Sequence, residues 1–357
     1  MASGEDSMND NVQFFEGVEK LVEIWFTTND ATKKGADLRK IPRSKLESLL
    51  KIVRCEIISF TSNDNIDAYV LSESSMFISK RRFILKTCGT TTPLLCLEVL
   101  LDLVEHYAGF DEVDDLFYSR KNFKRPDLQV TPHQHFDQEV ELLDSLFNDG
   151  AAYCLGPVNK DCWFLYTLNP LPEFNGRQVP NGQNVKMAEP DQTLEILMTD
   201  LDPEIMSVFT REDSLTAADA TKKSGIDKII PNMIIDDYLF EPCGYSMNGV
   251  TKNINTDSSC GNYMTIHITP EPEFSYVSFE TNVPAASYRE IISRVLEAFN
   301  PRKFTITLFA NQASQAKDTP ADLRHLTKIG DWHRRELQVC QFKNYDLTYL
   351  FYSKFPS

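Results

Sequence analysis

The chain has 357 residues, 42% of them hydrophobic, enough to bury a sizeable core in one large domain or two ordinary ones. Its 36 basic and 52 acidic residues leave a formal charge of −16, which argues against nucleic acid or an anionic membrane as partner and favours cationic ligands. Eight cysteines, at 55, 88, 96, 154, 162, 243, 260 and 340, show neither CxxC spacing nor disulfide-scaffold density, so a reduced setting without a structural metal is expected.

The opening MASGEDSMNDN is polar and acidic, and no window approaches about 18 uninterrupted apolar residues, which predicts a soluble, cytoplasmic protein. Apolar residues at 18, 21, 22, 25 and 26 fit a helix over 14–26, while alternation around Glu23 and Trp25 fits a half-buried strand. Residues 42–53 read as a helix with Pro42 near its first turn, and 55–60 as a strand. In 69–92, a serine-rich insert, Leu71-Ser72-Glu73-Ser74-Ser75-Met76-Phe77, lies between two β-prone apolar runs and reads as a tight hairpin connection.

Residues 93–107 form an amphipathic helix that stops at Gly109. The run 117–123 mixes basic and aromatic side chains, a weak nucleic-acid footprint in so acidic a chain, and is read as a loop or strand edge. His133 and His135 lie in a Pro-flanked loop without a third ligand and are read as surface residues. A helix follows at 137–147 and a strand at 162–168. Segments 169–190 and 248–261, rich in Pro, Gly or Asn, are read as long surface loops. Strands are expected at 193–201, 233–239, 263–268, 274–279, 303–310 and 347–352, with helices near 214–222 and 287–299. Strands outnumber helices and often follow one another directly, which argues for antiparallel sheets with helices outside them.

Four stretches are long and specific: YVLSESSMF with the following residues to Thr92, PDQTLEIL from Pro190, EPCGYSMNG from Glu241, and TIHITPEPEFSYVSFET from Thr265. Together they resemble the eukaryotic S-adenosylmethionine decarboxylases, pyruvoyl enzymes of the animal, putrescine-activated type. The likeness runs from Phe14 to about Phe309 and weakens beyond Asn311. It implies an α+β fold, a four-layer α/β/β/α sandwich of two antiparallel sheets packed face to face with helices on the outer faces. It also implies a strand at 14–26 and one domain over 1–357, self-cleaved between Glu73 and Ser74 into a β chain, 1–73, and an α chain, 74–357. A homodimer of such pairs is expected.

Removing a carboxylate from an α-amino acid leaves a carbanion that no side chain delocalises well, so an electron sink is required. The chain has no glycine-rich phosphate loop to hold pyridoxal phosphate. In the pyruvoyl route the Ser74 hydroxyl attacks the Glu73 carbonyl, amide becomes ester, and elimination then leaves a dehydroalanine that hydrolyses to covalent pyruvate. The resemblance assigns the base for that elimination to His267, with Ser246 holding the ester. It makes Cys88 the proton donor after decarboxylation through a Schiff base to the pyruvoyl at 74. A thiol with an ordinary pKa of about 8.5 has a proton to give at neutral pH.

The same likeness places Phe15 and Phe240 about the adenine, Glu271 on the ribose hydroxyls, the Glu73 main chain beside the base, and Glu16 and Glu19 near the reacting centre. Glu23, Asp191, Thr193, Glu195 and Glu280 match an acidic cluster that binds putrescine, with Lys86 as internal counter-charge and Phe117, Phe309 and Tyr345 lining it. Gathered carboxylates repel and are costly to bury unpaired, and a diamine dication resolves that strain. The implied product, decarboxylated S-adenosylmethionine, is the aminopropyl donor for spermidine and spermine. The other reading is an inactive paralogue that activates an enzyme partner or binds a metabolite.

Overall fold

A computed structural model describes residues 14–28, 35–168, 189–252 and 260–355. Sheet A is built from β1 (Lys20–Thr27), β2 (Ile57–Ser62), β3 (Ile66–Leu71), β4 (Ser74–Ser79), β5 (Arg82–Thr87), β6 (Glu112–Lys121), β7 (Gly150–Leu155) and β8 (Trp163–Leu168). Its strand order is β2-β3-β4-β5-β1-β6-β8-β7, every pair antiparallel. Sheet B is built from β9 (Gln192–Thr199), β10 (Met233–Leu239), β11 (Tyr245–Thr251), β12 (Tyr263–Thr269), β13 (Tyr276–Thr281), β14 (Lys303–Ala310), β15 (Lys328–Ile329), β16 (Trp332–Gln341) and β17 (Asp346–Lys354). Its order is β10-β11-β12-β13-β9-β14-β17-β16-β15, again antiparallel.

Side chains alternate between the two faces of each strand, and this alternation separates two kinds of interior. On the outer face of sheet A, Val22, Ile24 and Phe26 pack with α1 (Arg43–Val53), α2 (Leu97–Leu103) and α3 (Phe136–Leu146). On the outer face of sheet B, Leu194, Ile196 and Met198 pack with α4 (Pro203–Ser207), α5 (Ala217–Ser224), α6 (Arg289–Phe299) and α7 (Thr319–His325). Between the sheets, Trp25, Phe117 and Trp163 meet Leu197, Tyr276 and Leu347, while Phe77 and Ile84 meet Val250 and Tyr263. The architecture is the four-layer α/β/β/α sandwich expected. Among the described residues no helix is long and apolar enough to cross a membrane.

Several local expectations need correction. The strand expected at 14–26 begins only at Lys20, and 14–19 run irregularly into it. The helix at 93–107 is a 3-10 turn (Pro93–Cys96), then α2, then a π turn (Val104–Ala108) closing on Gly109. Residues 117–121 are no strand edge or loop: β6 lies inside sheet A between β1 and β8. His133 is fully buried, its Nδ1 2.7 Å from Glu139 Oε1 and 3.2 Å from the Tyr118 hydroxyl, because the turn folds down onto the outer face of β6; His135 is exposed as read. Residues 248–251 belong to β11, so the loop expected from 248 starts later, and 253–259 lie outside the described residues. Of the loop expected at 169–190, only 189–190 are described. Beyond Asn311, β16 and β17 extend sheet B, and β16 has no counterpart among the expected strands.

Candidate active site

The β3–β4 hairpin brings the SES motif to one end of the inter-sheet space. Leu71 pairs with Ser74 across the turn, leaving Ser72 and Glu73 at its tip. Ser74 has φ +129°, a backbone region that favours glycine, so the bond preceding it is held in a strained setting of about 1–3 kcal/mol. The Ser74 hydroxyl is buried and donates to Glu19 Oε1 at 2.7 Å. His267 Nδ1 lies 2.5 Å from the same oxygen. On its other side, His267 Nε2 is 2.7 Å from Ser75 Oγ and 3.3 Å from Thr265 Oγ1.

The carbonyl of Glu73 is held from the neighbouring strand end. It accepts from the Cys88 N–H at 3.0 Å and faces Cys88 Sγ at 3.5 Å. Burial pushes the Cys88 thiol well up, and the carboxylates of Glu73 and Glu19 add to the shift, so the sulfur keeps its proton. Burial likewise raises the Glu73 carboxyl to about 7, against the field of Lys20. For Glu19 burial also acts upward, but Lys86 and His267 outweigh it and hold the carboxyl at about 2.

These groups open on a cavity of about 320 Å³ whose lining includes Phe15, Glu73, Ser74, Cys88, Phe240 and Glu271. Ser246 also lines it, facing His267 as a cross-strand partner in the β11–β12 ladder. Alone, Ser246 reads as a turn residue; β11 makes it a strand position. Glu271 Oε2 is buried without a hydrogen-bond partner. Glu16 does not line this cavity: its carboxylate accepts from the Lys124 and Arg125 N–H groups at 2.9 and 3.2 Å and ties down that loop.

Deeper between the sheets lies the acidic cluster. Glu23 on β1, Thr193 and Glu195 on β9, and Glu280 on β13 all point inward at alternate positions, joined by Asp191. They line a narrow cavity of about 30 Å³ with Phe117, Phe309 and Tyr345, the aromatics expected there. Lys86 Nζ bonds Glu195 Oε1 at 2.9 Å and Glu280 Oε2 at 2.8 Å, and lies 3.6 Å from Glu19 Oε2. A second cation, missed from sequence, serves the other end: Arg82 Nη2 bonds Glu23 Oε2 at 2.8 Å and Thr193 Oγ1 at 3.1 Å, and Nη1 reaches Asp191 at 3.4 Å. Arg82 stands two residues before Lys86's neighbour Ile84 on the same face of β5, so strand alternation within SKRRFILK was the signal for it. Five buried carboxylates, Glu19, Glu23, Asp191, Glu195 and Glu280, thus face two buried cations. Burial raises the pKa of Glu23 and of Glu195 despite those partners.

A family model described as adenosylmethionine decarboxylase matches residues 12–353. The chain belongs to the adenosylmethionine decarboxylase family. It is 53% identical over 342 residues to an S-adenosylmethionine decarboxylase proenzyme of Drosophila melanogaster, covering 95% of each chain. The Xenopus laevis proenzyme of that name is 50% identical, covering 96% of each chain, and the Vicia faba one 38% identical, covering 85% of this chain and 82% of the relative. Among solved structures, a Trypanosoma brucei AdoMetDC-delta26 monomer is similar with a TM-score of 0.55 and 25% identity, covering 78% of this chain and 98% of that one. The decarboxylase family's sandwich and this chain's fold therefore agree.

Proposed function

We propose that this chain is the proenzyme of an S-adenosylmethionine decarboxylase that cuts itself between Glu73 and Ser74 and feeds spermidine and spermine synthesis. The observation that carries the reading is the contact chain Ser74 Oγ–Glu19–His267, set against a Glu73 carbonyl held by the Cys88 N–H. Glu19 orients the hydroxyl, and His267 is placed to take its proton through that carboxylate. The Ser74 oxygen bonds to the Glu73 carbonyl carbon, the C–N bond breaks, and the Ser74 nitrogen leaves as an amine carrying the proton that His267 gives back, which returns the imidazole to its neutral form. The Cys88 N–H stabilises the negative oxygen formed on the way. His267 then removes the Ser74 Cα proton, the Cβ–Oγ bond breaks, and Glu73 departs as a carboxylate. The remaining dehydroalanine rearranges and takes up water, releasing ammonia and leaving a ketone at the head of 74–357.

The pyruvoyl group so derived supplies the electron sink for decarboxylation. Around it, Phe15 and Phe240 offer aromatic faces for the adenine, and the unpartnered Glu271 oxygen offers an acceptor for ribose hydroxyls. Cys88, held protonated, delivers a proton to the substrate Cα once carbon dioxide has left.

The acidic cluster supports putrescine as activator. A dication offsets the excess of carboxylates, and Lys86 joins the cluster to Glu19 and thus to Ser74. The cavity is narrow, and Phe117, Phe309 and Tyr345 give it an aromatic wall against which the methylene chain of a diamine would lie. A homodimer belongs to the same reading: among the described residues sheet A ends on β7, and β15 covers β16 only at Trp332 and His333. The inactive-paralogue reading has no feature in its favour, since Ser74, Cys88, Ser246 and His267 all stand at the cavity.

The test is denaturing mass spectrometry of purified protein with carbon dioxide release from S-adenosylmethionine. Two fragments, 1–73 and a pyruvoyl-blocked 74–357, are expected, and Ser74→Ala stays whole and inactive. An intact wild-type chain that still decarboxylates overturns the reading.

A further inference from the structure

Lys20 is a buried ammonium that none of the steps above uses. It is fully buried on the outer face of β1, donating from Nζ to Gly89 O at 2.9 Å and to Gln129 Oε1 at 3.2 Å, 5.3 Å from the Phe123 ring centre. Both acceptors are neutral, and among the described residues no carboxylate forms an ion pair with it. Glu139, across the same outer layer, is taken by Arg120 at 2.8 Å and by His133. A buried cation without a counter-ion is costly, and burial, with the nearby Arg120 charge, brings Lys20 down to about 8 against the pull of Cys88, Glu139 and Glu16. Such a group persists where its charge serves something nearby.

What lies nearby is the cleavage centre. Gly89, whose carbonyl Lys20 grips, follows the residue whose N–H and thiol face the Glu73 carbonyl at 3.0 and 3.5 Å. The turn is closed on its other side by Gly89 N–H donating to Glu16 O at 2.8 Å. Gly89 itself has φ +62°, and a side chain there would meet the Phe15 ring at 3.0 Å and Glu73 Oε2 at 3.2 Å, so the turn has little room to shift. We propose that Lys20 is a positioning cation of the cleavage centre: through Gly89 O it fixes the turn that presents the Cys88 N–H to the scissile carbonyl, and its charge stabilises the negative oxygen formed there and the Cys88 sulfur after proton donation. The proposal rests on self-cleavage at Glu73–Ser74. Lys20 feels Cys88, Glu139, Arg120 and Glu16, as well as Glu73 and His133; Cys88 feels Glu73, Glu19 and Lys20.

Two variants remove the charge effect by different routes. Lys20→Met keeps the stem without the ammonium, and Gln129→Glu leaves the ammonium but sets a carboxylate at the position of an oxygen 3.2 Å from it. Lys20→Arg keeps the charge. Cleavage of the full-length chain is followed by denaturing mass spectrometry. The cleavage rate of each chain is also followed from neutral pH to above the value of about 8 near which Lys20 loses its proton. Lys20→Met and Gln129→Glu are expected to slow cleavage roughly tenfold or more, below the loss from deleting an oxyanion donor outright. Wild type is expected to lose rate as pH rises through about 8, a limb that Lys20→Met lacks and that Gln129→Glu moves to higher pH. Lys20→Arg is expected to restore the rate and to hold it above that pH, since a guanidinium stays charged.

If wild type cuts itself while folded Lys20→Met or Gln129→Glu cuts as fast and with the pH profile of wild type, Lys20 is a packing residue and the proposal falls, with self-cleavage intact. Should Lys20→Met not fold, the near-isosteric Gln129→Glu decides alone. A wild-type chain that stays whole removes both readings together.

Discussion

Ser74 and Glu19, 55 positions apart in the chain, meet through a 2.7 Å hydrogen bond from hydroxyl to carboxylate. The same Glu19 oxygen touches His267, so it connects the nucleophile to the base proposed for elimination. Glu19→Gln keeps the shape but removes the charge that orients both partners. Self-cleavage is expected to slow by about 10²-fold or more, the range for losing a positioned acid–base group. Timed mass spectra of freshly purified chain measure it, and an unchanged rate would remove Glu19 from the reaction.

Lys86 serves Glu195, Glu280 and Glu19 at once, inside the molecule. Lys86→Met strands three carboxylates, and breaking a buried pair in this way costs about 3–5 kcal/mol. The urea midpoint of an uncleavable Ser74→Ala chain with and without the change gives the number. Glu19 adds a pH signature. Its folded value of about 2 lies below its ordinary 4.5, so its contribution is fully present above about pH 4.5 and is lost as pH falls through about 2. Removing Lys86 should flatten that acid limb.

Putrescine binding should depend on pH in the opposite sense to a neutral ligand. Burial raises the pKa of Glu23 and Glu195, so without a dication these groups hold protons more readily than free carboxyls do. A dication favours their ionised forms, and binding is therefore expected to release protons and to tighten as pH rises through those values. Calorimetry in two buffers of different ionisation heat reads the protons directly. Asp191→Asn should raise the half-saturating putrescine concentration by about tenfold or more, the worth of one charged hydrogen bond.

Phe240 and Phe15 line one cavity with Glu271. Phe240→Ala is expected to raise the KM for S-adenosylmethionine by about 3–10-fold, the worth of one aromatic stack, with cleavage of the precursor little changed. Equal loss in both reactions would show instead that Phe240 shapes the hairpin.

The antiparallel character of the sheets was legible because alternation and turn chemistry are local signals; the four-layer sandwich came from the family likeness, and β7, β11 and β16 were not expected as strands. Position 20 onward became strand rather than helix because β5 and β6 flank it, which no window around Trp25 contains. Ser246 looked like a turn residue for the same reason: β12 makes it a strand. Arg82 was hidden inside a basic run that resembles solvated surface, and its burial follows from the acidic partners that sheet B brings opposite. His133 looked free because Glu139 and Tyr118, which bury it, approach from a helix and a strand. In the site, the cluster members were named as a set by the family likeness, whereas Glu16's duty to the 124–125 backbone is a matter of tertiary contact.

The strand order of sheet A carries a further consequence. Residues 1–73 hold β1, β2 and β3, and β1 is seated between β5 and β6, both belonging to 74–357. If the chain is cut after Glu73 as proposed, the two pieces interlock like the fingers of clasped hands and are expected to stay together. Once unravelled by denaturant, however, they must find each other again by collision, so reassembly becomes second-order and slows on dilution, while the whole precursor recovers at a rate independent of concentration.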